Sequence, residues 1–171
     1  MQLTQASHED LAPIVDLVNQ AYRGAAAPGW TSEIELISGP RIDLQSLTTL
    51  AADGPAMVMV AKDGAERLGC VSLTPGDDGQ WYLSMLAVNP ATQTGGVGKA
   101  IMAAAEQFAR ARGATSVKIS VINLREALIA WYERRGYRKT GEVGAFPYDD
   151  PSVGTPLRDD LALVTLVKPL G

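Results

Sequence analysis

The sequence predicts a mixed α/β sandwich. Two features in the order of its apolar segments lead to this prediction. Short apolar segments separated by tight turns indicate antiparallel hairpins in the first half of the chain. They are followed by a passage in which strand-like and helical apolar patterns alternate, as in a β-α-β-α unit. The middle strands of such a passage flank a helix N-terminus, so we expect the functional residues there.

The apolar pattern of the first segment predicts a helix. Apolar residues recur at helical spacing from Leu11 to Tyr22, and either Ser7 or Asp10 is placed to cap the helix. Residues 24–54 mix Ala, Gly, Pro and charged residues with short apolar clusters. This composition indicates irregular structure with one or two short helices over a pocket.

Three strands are predicted next. Met57 to Ala61 and Leu68 to Leu73 are apolar segments on either side of a turn at 62–65, which indicates a hairpin. Trp81 to Val88 is a third strand, and Asn89-Pro90 ends it.

The second half of the chain alternates helices and strands. Helical spacing from Val97 to Phe108 predicts a helix, and the β-branched segment 117–122 predicts a strand. A second helical stripe runs from Leu124 to Trp131 and is closed by Gly136. Residues 161–167 form the last predicted strand.

Composition restricts the class of protein. The 171 residues, 46% hydrophobic and 20% charged, are typical of a single globular domain spanning 1–171. A net charge of -4 argues against general nucleic-acid binding. We expect a cytoplasmic protein without a membrane partner, because no apolar segment approaches the roughly 20 residues of a spanning helix. Cys70 lies in an apolar run and is predicted to be buried and inert, and no metal-binding cluster is expected.

A glycine-rich segment joins the third strand to the next helix. Backbone N–H groups at such a helix start face any anion bound there, which predicts a pyrophosphate-type site. A Walker P-loop is excluded, because Gln93 stands in place of its first glycine and Ala100 in place of its Ser or Thr. A dinucleotide fingerprint is excluded because Ile101 occupies its third glycine position.

Two motifs together resemble the GNAT acetyltransferase superfamily. A Q-x-x-G-x-G pattern begins at Gln93, and a Y-x-x-x-G-[FY] pattern begins at Tyr132. Asn123, at the end of the strand between them, adds to a resemblance that covers residues 81–142. It implies a mostly antiparallel sheet with helices on both faces and a central coenzyme-binding β-α-β-α passage. It also implies acetyl-CoA as the acetyl donor and coenzyme A as the product.

The resemblance also implies which residues hold the coenzyme. The strand before the glycine loop would face the pantetheine arm, and the loop would wrap the diphosphate. Asn123 would bind the pantetheine amide region or a water, unless it only caps the next helix. The implied coenzyme-binding residues are Leu86, Ala87, Val88, Gln93, Thr94, Gly95, Gly96, Val97, Gly98, Lys99 and Asn123.

Tyr132 matches the tyrosine that the family commonly uses as general acid. A phenol with a pKa near ~10 is suited to protonate a thiolate whose pKa is near ~8.5. Its alternative role is aromatic packing beside Trp131. Many relatives carry a glutamate base on the strand that here reads 81–85, without a carboxylate. Ser84 is therefore the candidate for holding a relay water, with Glu33, Glu35 or an acid of the late loop as alternatives.

Acceptor recognition is expected from loops, because loops supply specificity on a fixed scaffold. The predicted acceptor-binding residues are Trp30, Glu33, Phe146 and Tyr148, with Arg41 beside them. Arg125 is expected to contact substrate or phosphate. The aromatic residues would wall a pocket and the acids would receive an ammonium, unless they form only a hydrophobic lid.

The sequence therefore favours an N-acetyltransferase that moves acetyl directly from acetyl-CoA to a primary amine of a small molecule or a peptide, with no acyl-enzyme on Cys70. A homodimer is expected only by analogy with the family. Two alternatives stay open: a catalytically silent acyl-CoA-binding sensor, and a phosphate-binding interaction protein unrelated to coenzyme A.

Overall fold

A seven-stranded sheet organises this computed structural model, which describes residues 1–24, 32–92 and 95–171. Across the sheet the strands run β1-β3-β4-β5-β6-β9-β7, and β2 pairs with β8 in a separate ribbon. All neighbouring strands of the large sheet are antiparallel except β5 and β6, which are parallel. The strands are β1 (Gln2–Gln5), β2 (Ile37–Ser38), β3 (Met57–Asp63), β4 (Glu66–Thr74), β5 (Gln80–Val88), β6 (Ser116–Ile122), β7 (Arg138–Ala145), β8 (Thr155–Pro156) and β9 (Ala162–Pro169).

Helices cover both faces of the sheet. They are α1 (His8–Arg23), α2 (Leu44–Ala52), α3 (Val97–Arg110) and α4 (Glu126–Glu133). Alternate residues of β3 show the two faces: Val58 and Val60 pack with α1 and α2, whereas Met59 and Ala61 pack with α3 and α4. The predicted mostly antiparallel sheet with helices on both faces is confirmed. Within the described ranges no helix is both long enough and apolar enough to cross a bilayer.

The strands and helices predicted from periodicity are present, but two strands of the large sheet and the two short strands of the β2–β8 ribbon were missed. β1 and β7 are polar sequences at the two edges of the sheet, so they carry no alternating apolar pattern. Their pairing with β3 and β9 makes them strands. The start predicted for the last helix was wrong: α4 begins at Glu126, and Leu124, 37% exposed, lies outside it.

Gly69 of β4 allows α3 to pack closely over the sheet. A Cβ atom at this position would lie 2.4 Å from the Ala87 carbonyl oxygen and 2.6 Å from Cδ1 of Ile101. A side chain there would push α3 away from β4 and β5, and glycine avoids this. The close contact places the start of α3 beside the end of β5.

A buried carboxylate ties the start of α1 to the β3–β4 hairpin. Ser7 is the N-cap of α1, and its amide donates to Oδ2 of Asp10 at 2.9 Å. Lys62 Nζ and Arg67 Nε reach Oδ1 of Asp10 at 2.7 and 2.9 Å. Burial alone would raise the pKa of Asp10, but the hydrogen bonds from Lys62, Ser7 and Arg67 outweigh it and hold the pKa well below its usual range.

We expect Asp10→Asn to lower the free energy of unfolding at neutral pH by about 1–3 kcal/mol, measured by urea denaturation, because it removes the shared partner of two cations. Asp16→Asn, at an exposed position of the same helix, is the control and should change little. Because the folded-state pKa of Asp10 is lowered from 3.8, its contribution is present above that pH and is lost as the pH falls below it. Wild type and Asp10→Asn should therefore converge in acid; a constant difference would contradict this account.

Candidate active site

The two central strands separate and open a gap in the sheet. β5 and β6 are paired only from Gln80 to Tyr82 on β5, and beyond Tyr82 the parallel ladder stops. Further along β5 there is a β-bulge, in which Met85 and Leu86 lie opposite a single residue of β4, Val71. Met85 has a φ of 54°, in the left-handed region that side chains other than glycine rarely adopt. The bulge bends β5 away from β6.

The start of α3 follows β5 along the chain and leaves backbone donors without a partner inside the helix. Gly96 is the N-cap with a φ of 77°, and the first helical hydrogen bond runs from the Ala100 amide to the Gly96 carbonyl at 3.0 Å. The amides of residues 97–99 therefore have no acceptor within the helix. A Cβ atom on Gly95 or Gly96 would meet no atom of the described residues within 4 Å, so the space beside these two glycines is open to those parts of the chain. These donors fit an anion such as a diphosphate.

The predicted residues of this loop take different positions. Val97, Gly98 and Lys99 form the first turn of α3, with Gly98 buried and Lys99 exposed. Gln93 and Thr94 lie outside the described residues. Exposure of Lys99 fits the simpler prediction of a solvated side chain.

A cavity of about 230 Å³ opens at the gap between β5 and β6. It brings together several predicted site residues from distant parts of the chain: Glu33, Ser84, Leu86, Tyr132 and Phe146. Arg41 and Arg125 also line it. Among the predicted residues, Ala87, Val88, Asn123 and Tyr148 lie outside this lining, and Trp30 falls outside the described residues.

Tyr132 forms part of the wall of the cavity. It is 6% exposed, and its ring makes edge contacts with Trp131 and Tyr137 at centroid distances of 5.1 and 5.7 Å. Burial raises the pKa of Tyr132, and Arg125 opposes this only in part. The phenol is therefore protonated at neutral pH and can donate a proton.

Tyr22 supports the backbone of β5 near the bulge. Its hydroxyl donates to the Leu86 carbonyl oxygen at 2.7 Å. Leu86 was predicted to face the pantetheine arm, and this carbonyl is already engaged from the α1 side of the sheet. Sequence reasoning assigned Tyr22 only to the apolar stripe of the first helix; its hydroxyl was the one signal of a second role.

Glu33 is held between two arginines. Its carboxylate oxygens lie 3.2 Å from Arg23 Nη2 and 3.5 Å from Arg125 Nη1. Arg23 also donates to the carbonyls of Gly39 and Val153, at 2.9 and 3.0 Å. The expectation that Glu33 receives an ammonium is not supported, because its charge is already shared by two guanidinium groups. Arg23 was missed, since a basic residue in the last turn of a helix is common.

Asn123 and Tyr148 join loops to the end of the sheet. The Asn123 side chain donates to the Asp160 carbonyl at 3.1 Å and accepts from the Ala162 amide at 2.9 Å. The alternative that Asn123 caps the next helix was wrong, because Arg125 is the N-cap of α4. The Tyr148 hydroxyl accepts from the Leu161 amide at 2.7 Å, and its ring packs on Phe146 at 5.0 Å.

Cys70 of β4, next to β5 in the sheet, is buried, as predicted. Its side chain is fully buried and its thiol donates to the Met85 carbonyl oxygen at 3.7 Å. Burial raises the pKa of Cys70 to about 12. The thiol is therefore neutral at physiological pH, and it does not line the cavity.

Comparison with known proteins agrees with this geometry. Residues 16–137 match the sequence model of the acetyltransferase (GNAT) family. No match was found among curated protein sequences.

Several solved structures share the fold. The ribosomal-protein-alanine N-acetyltransferase of Brucella melitensis is 21% identical with a TM-score of 0.70, over 99% of both chains. The ribosomal-protein-S18-alanine N-acetyltransferase of Escherichia coli is 14% identical with a TM-score of 0.71, over 99% of this chain and 94% of that one. A GNAT family acetyltransferase of Elizabethkingia anophelis, solved with acetyl-CoA bound, is 19% identical with a TM-score of 0.60, over 67% of this chain and 76% of that one.

Because these sequence identities are low, the likeness to solved structures shows the fold alone. The family model, by contrast, matches residues 16–137, which is most of the chain. Together with the open helix start and the gap between β5 and β6, the match identifies the kind of enzyme. The chain belongs to the GNAT family of acetyltransferases, which use acetyl-CoA as co-substrate.

Proposed function

We propose that this acetyltransferase moves acetyl directly from acetyl-CoA to a primary amine of a small molecule or peptide, with Tyr132 as general acid. The observation that carries the proposal is the position of Tyr132 on the wall of the cavity where β5 and β6 separate. When bound, acetyl-CoA supplies an acetyl thioester whose leaving group is a thiolate.

Backbone groups of β5 and of the start of α3 are proposed to hold the coenzyme. The amides of residues 97–99 bind the diphosphate, since they lack acceptors within α3. The strand from Leu86 to Val88 lies along the pantetheine arm. An amide of this segment also polarises the acetyl carbonyl, as backbone donors do in oxyanion sites.

The reaction proceeds in one transfer. The neutral amine nitrogen attacks the carbonyl carbon, so that a C–N bond forms and the C–S bond breaks. Tyr132 donates its proton to the departing sulfur. The proton released from the nitrogen passes to a water held by Ser84, which lines the cavity, and returns from there to the phenolate of Tyr132.

The raised pKa of Tyr132 keeps the proton in place but makes the phenol a weaker acid. The thiolate that leaves in the same buried site is also poorly solvated, and desolvation raises the pKa of a thiol in the same way. The pKa values of the Tyr132 phenol and of the leaving thiol therefore stay closer together than the raised pKa of Tyr132 alone would suggest.

Direct transfer is supported by the state of Cys70. A nucleophilic cysteine requires access and a thiolate. Cys70 is fully buried with a raised pKa and does not line the cavity. We therefore propose no acyl-enzyme.

Tyr132→Phe should lower kcat by about 100-fold or more, with little change in KM for acetyl-CoA. The substitution removes the proton donor but keeps the aromatic ring in the cavity wall. Steady-state thiol release measures both constants. Tyr148→Phe, which removes a hydroxyl outside the cavity, is the matched control. Equal activity of wild type and Tyr132→Phe would remove the assignment.

The pH profile provides a separate check. The active form of Tyr132 is protonated, and its pKa is raised from 10.0. Loss of this proton should therefore not lower kcat at any pH below that value. A descending limb below pH 10.0 that disappears in Tyr132→Phe would contradict the raised pKa.

Gly96→Trp should abolish the rise in Tm that coenzyme A produces, because an indole would occupy the open space before the amides of 97–99. Gly64→Trp is the control, since Gly64 also has a positive φ and open surroundings but lies in the β3–β4 turn. A full thermal shift in Gly96→Trp would exclude this binding site.

The same measurements distinguish a silent acyl-CoA sensor from an enzyme. A sensor would show the coenzyme-dependent rise in Tm and no thiol release with any amine. An enzyme shows both.

A further inference from the structure

We infer that the acceptor amine carries a carboxylate, as an amino acid does, and that Arg41 and Arg125 bind this group. The inference rests on the proposed function and concerns the same cavity. It narrows the acceptor from any primary amine to one that has an anionic group beside the nitrogen.

The charge of the cavity wall favours an anion. Its charged lining residues are Arg23, Arg41, Arg125 and Glu33, which sum to a net charge of +2. The residues outside the description, 25–31 and 93–94, contain no Asp, Glu, Lys, Arg or His, so they do not alter this sum. An acceptor with only an ammonium group would be repelled by this wall.

The single carboxylate of the wall is not free to receive an ammonium. Glu33 contacts Arg23 through one oxygen and Arg125 through the other. Arg23 holds loops through the carbonyls of Gly39 and Val153 besides this ion pair. Glu33 is therefore shared by Arg23 and Arg125, and Arg41 is the guanidinium of the wall that has no ion pair in the described part of the chain.

Arg41 is fixed at its backbone and stands over an aromatic ring. Its amide donates to Oδ1 of Asn19 at 2.7 Å, and its guanidinium lies 5.6 Å from the centroid of the Tyr22 ring. In the described part of the chain no carboxylate forms an ion pair with it. A guanidinium of this kind binds a carboxylate through two parallel N–H donors.

Arg125 approaches the cavity from the α4 side. It is the N-cap of α4, and its side chain is 8% exposed. Its distance of 3.5 Å from Glu33 is longer than the roughly 2.7–2.9 Å of a strong charge-assisted hydrogen bond. A substrate carboxylate bound by Arg41 in the same cavity would also face this guanidinium, and it would lower the net positive charge of the wall.

The test compares acceptors that differ only in charge. Wild-type enzyme is assayed by thiol release with pairs of amino acids and their carboxamides, and with a diamine, at equal concentrations of the free-base amine. We expect kcat/KM to be at least about ten-fold higher for each carboxylate, since a charge-assisted hydrogen bond discriminates by this much. Added salt should raise KM for the carboxylates more than for the amides.

Arg41→Gln should remove most of this preference by raising KM for the carboxylates, with little effect on the carboxamides. Arg110→Gln removes one positive charge from an exposed position of α3 and should keep the preference. The Tm of Arg41→Gln and its rise with coenzyme A are measured alongside. If this variant does not fold, the salt dependence of wild type decides the question.

Two results overturn the inference in different ways. Faster turnover of carboxamides or the diamine by wild type, or equal loss for both members of a pair in Arg41→Gln, would exclude carboxylate recognition while leaving the proposed acetyl transfer intact. Absence of thiol release with every acceptor would overturn the proposed function itself, and the inference with it.

Discussion

The separation of β5 from β6 is the constraint on which the site depends. A continuous parallel ladder would close the sheet and leave no space between these strands. Here the ladder ends at Tyr82, and the bulge at Met85 turns β5 away with a backbone conformation that is costly for a side chain. The packed clusters on both faces of the sheet hold this conformation in place. The positions of α3 and α4 follow, because each helix is next to one of the separating strands.

Opening the sheet leaves polar groups that need partners, and the way they are satisfied determines the chemistry of the cavity. The Leu86 carbonyl is satisfied by Tyr22, and Glu33 is satisfied by Arg23 and Arg125. The first amides of α3 have no helical acceptor. The cavity thus has guanidinium groups and the buried phenol of Tyr132 in its wall.

Sequence reasoning succeeded where the signal is local. Apolar periodicity located the hairpin, β5, α3 and β6, and the glycine motif located the open helix start. It failed where partners come from distant segments: β7 is a strand only because β9 lies beside it, and the pairing of Glu33 with Arg125 joins residues 92 positions apart. Tyr148 was predicted in the acceptor site because it is aromatic, and its partners could not be predicted: its hydroxyl accepts from the Leu161 amide and its ring packs on Phe146.

The most direct test of the separated strands as the coenzyme site is a crystal structure of the protein with coenzyme A. We expect the diphosphate on the amides of residues 97–99, the pantetheine arm between β5 and β6, and the sulfur beside the Tyr132 hydroxyl. Coenzyme A bound elsewhere, or a gap between β5 and β6 closed by the protein's own residues, would contradict it.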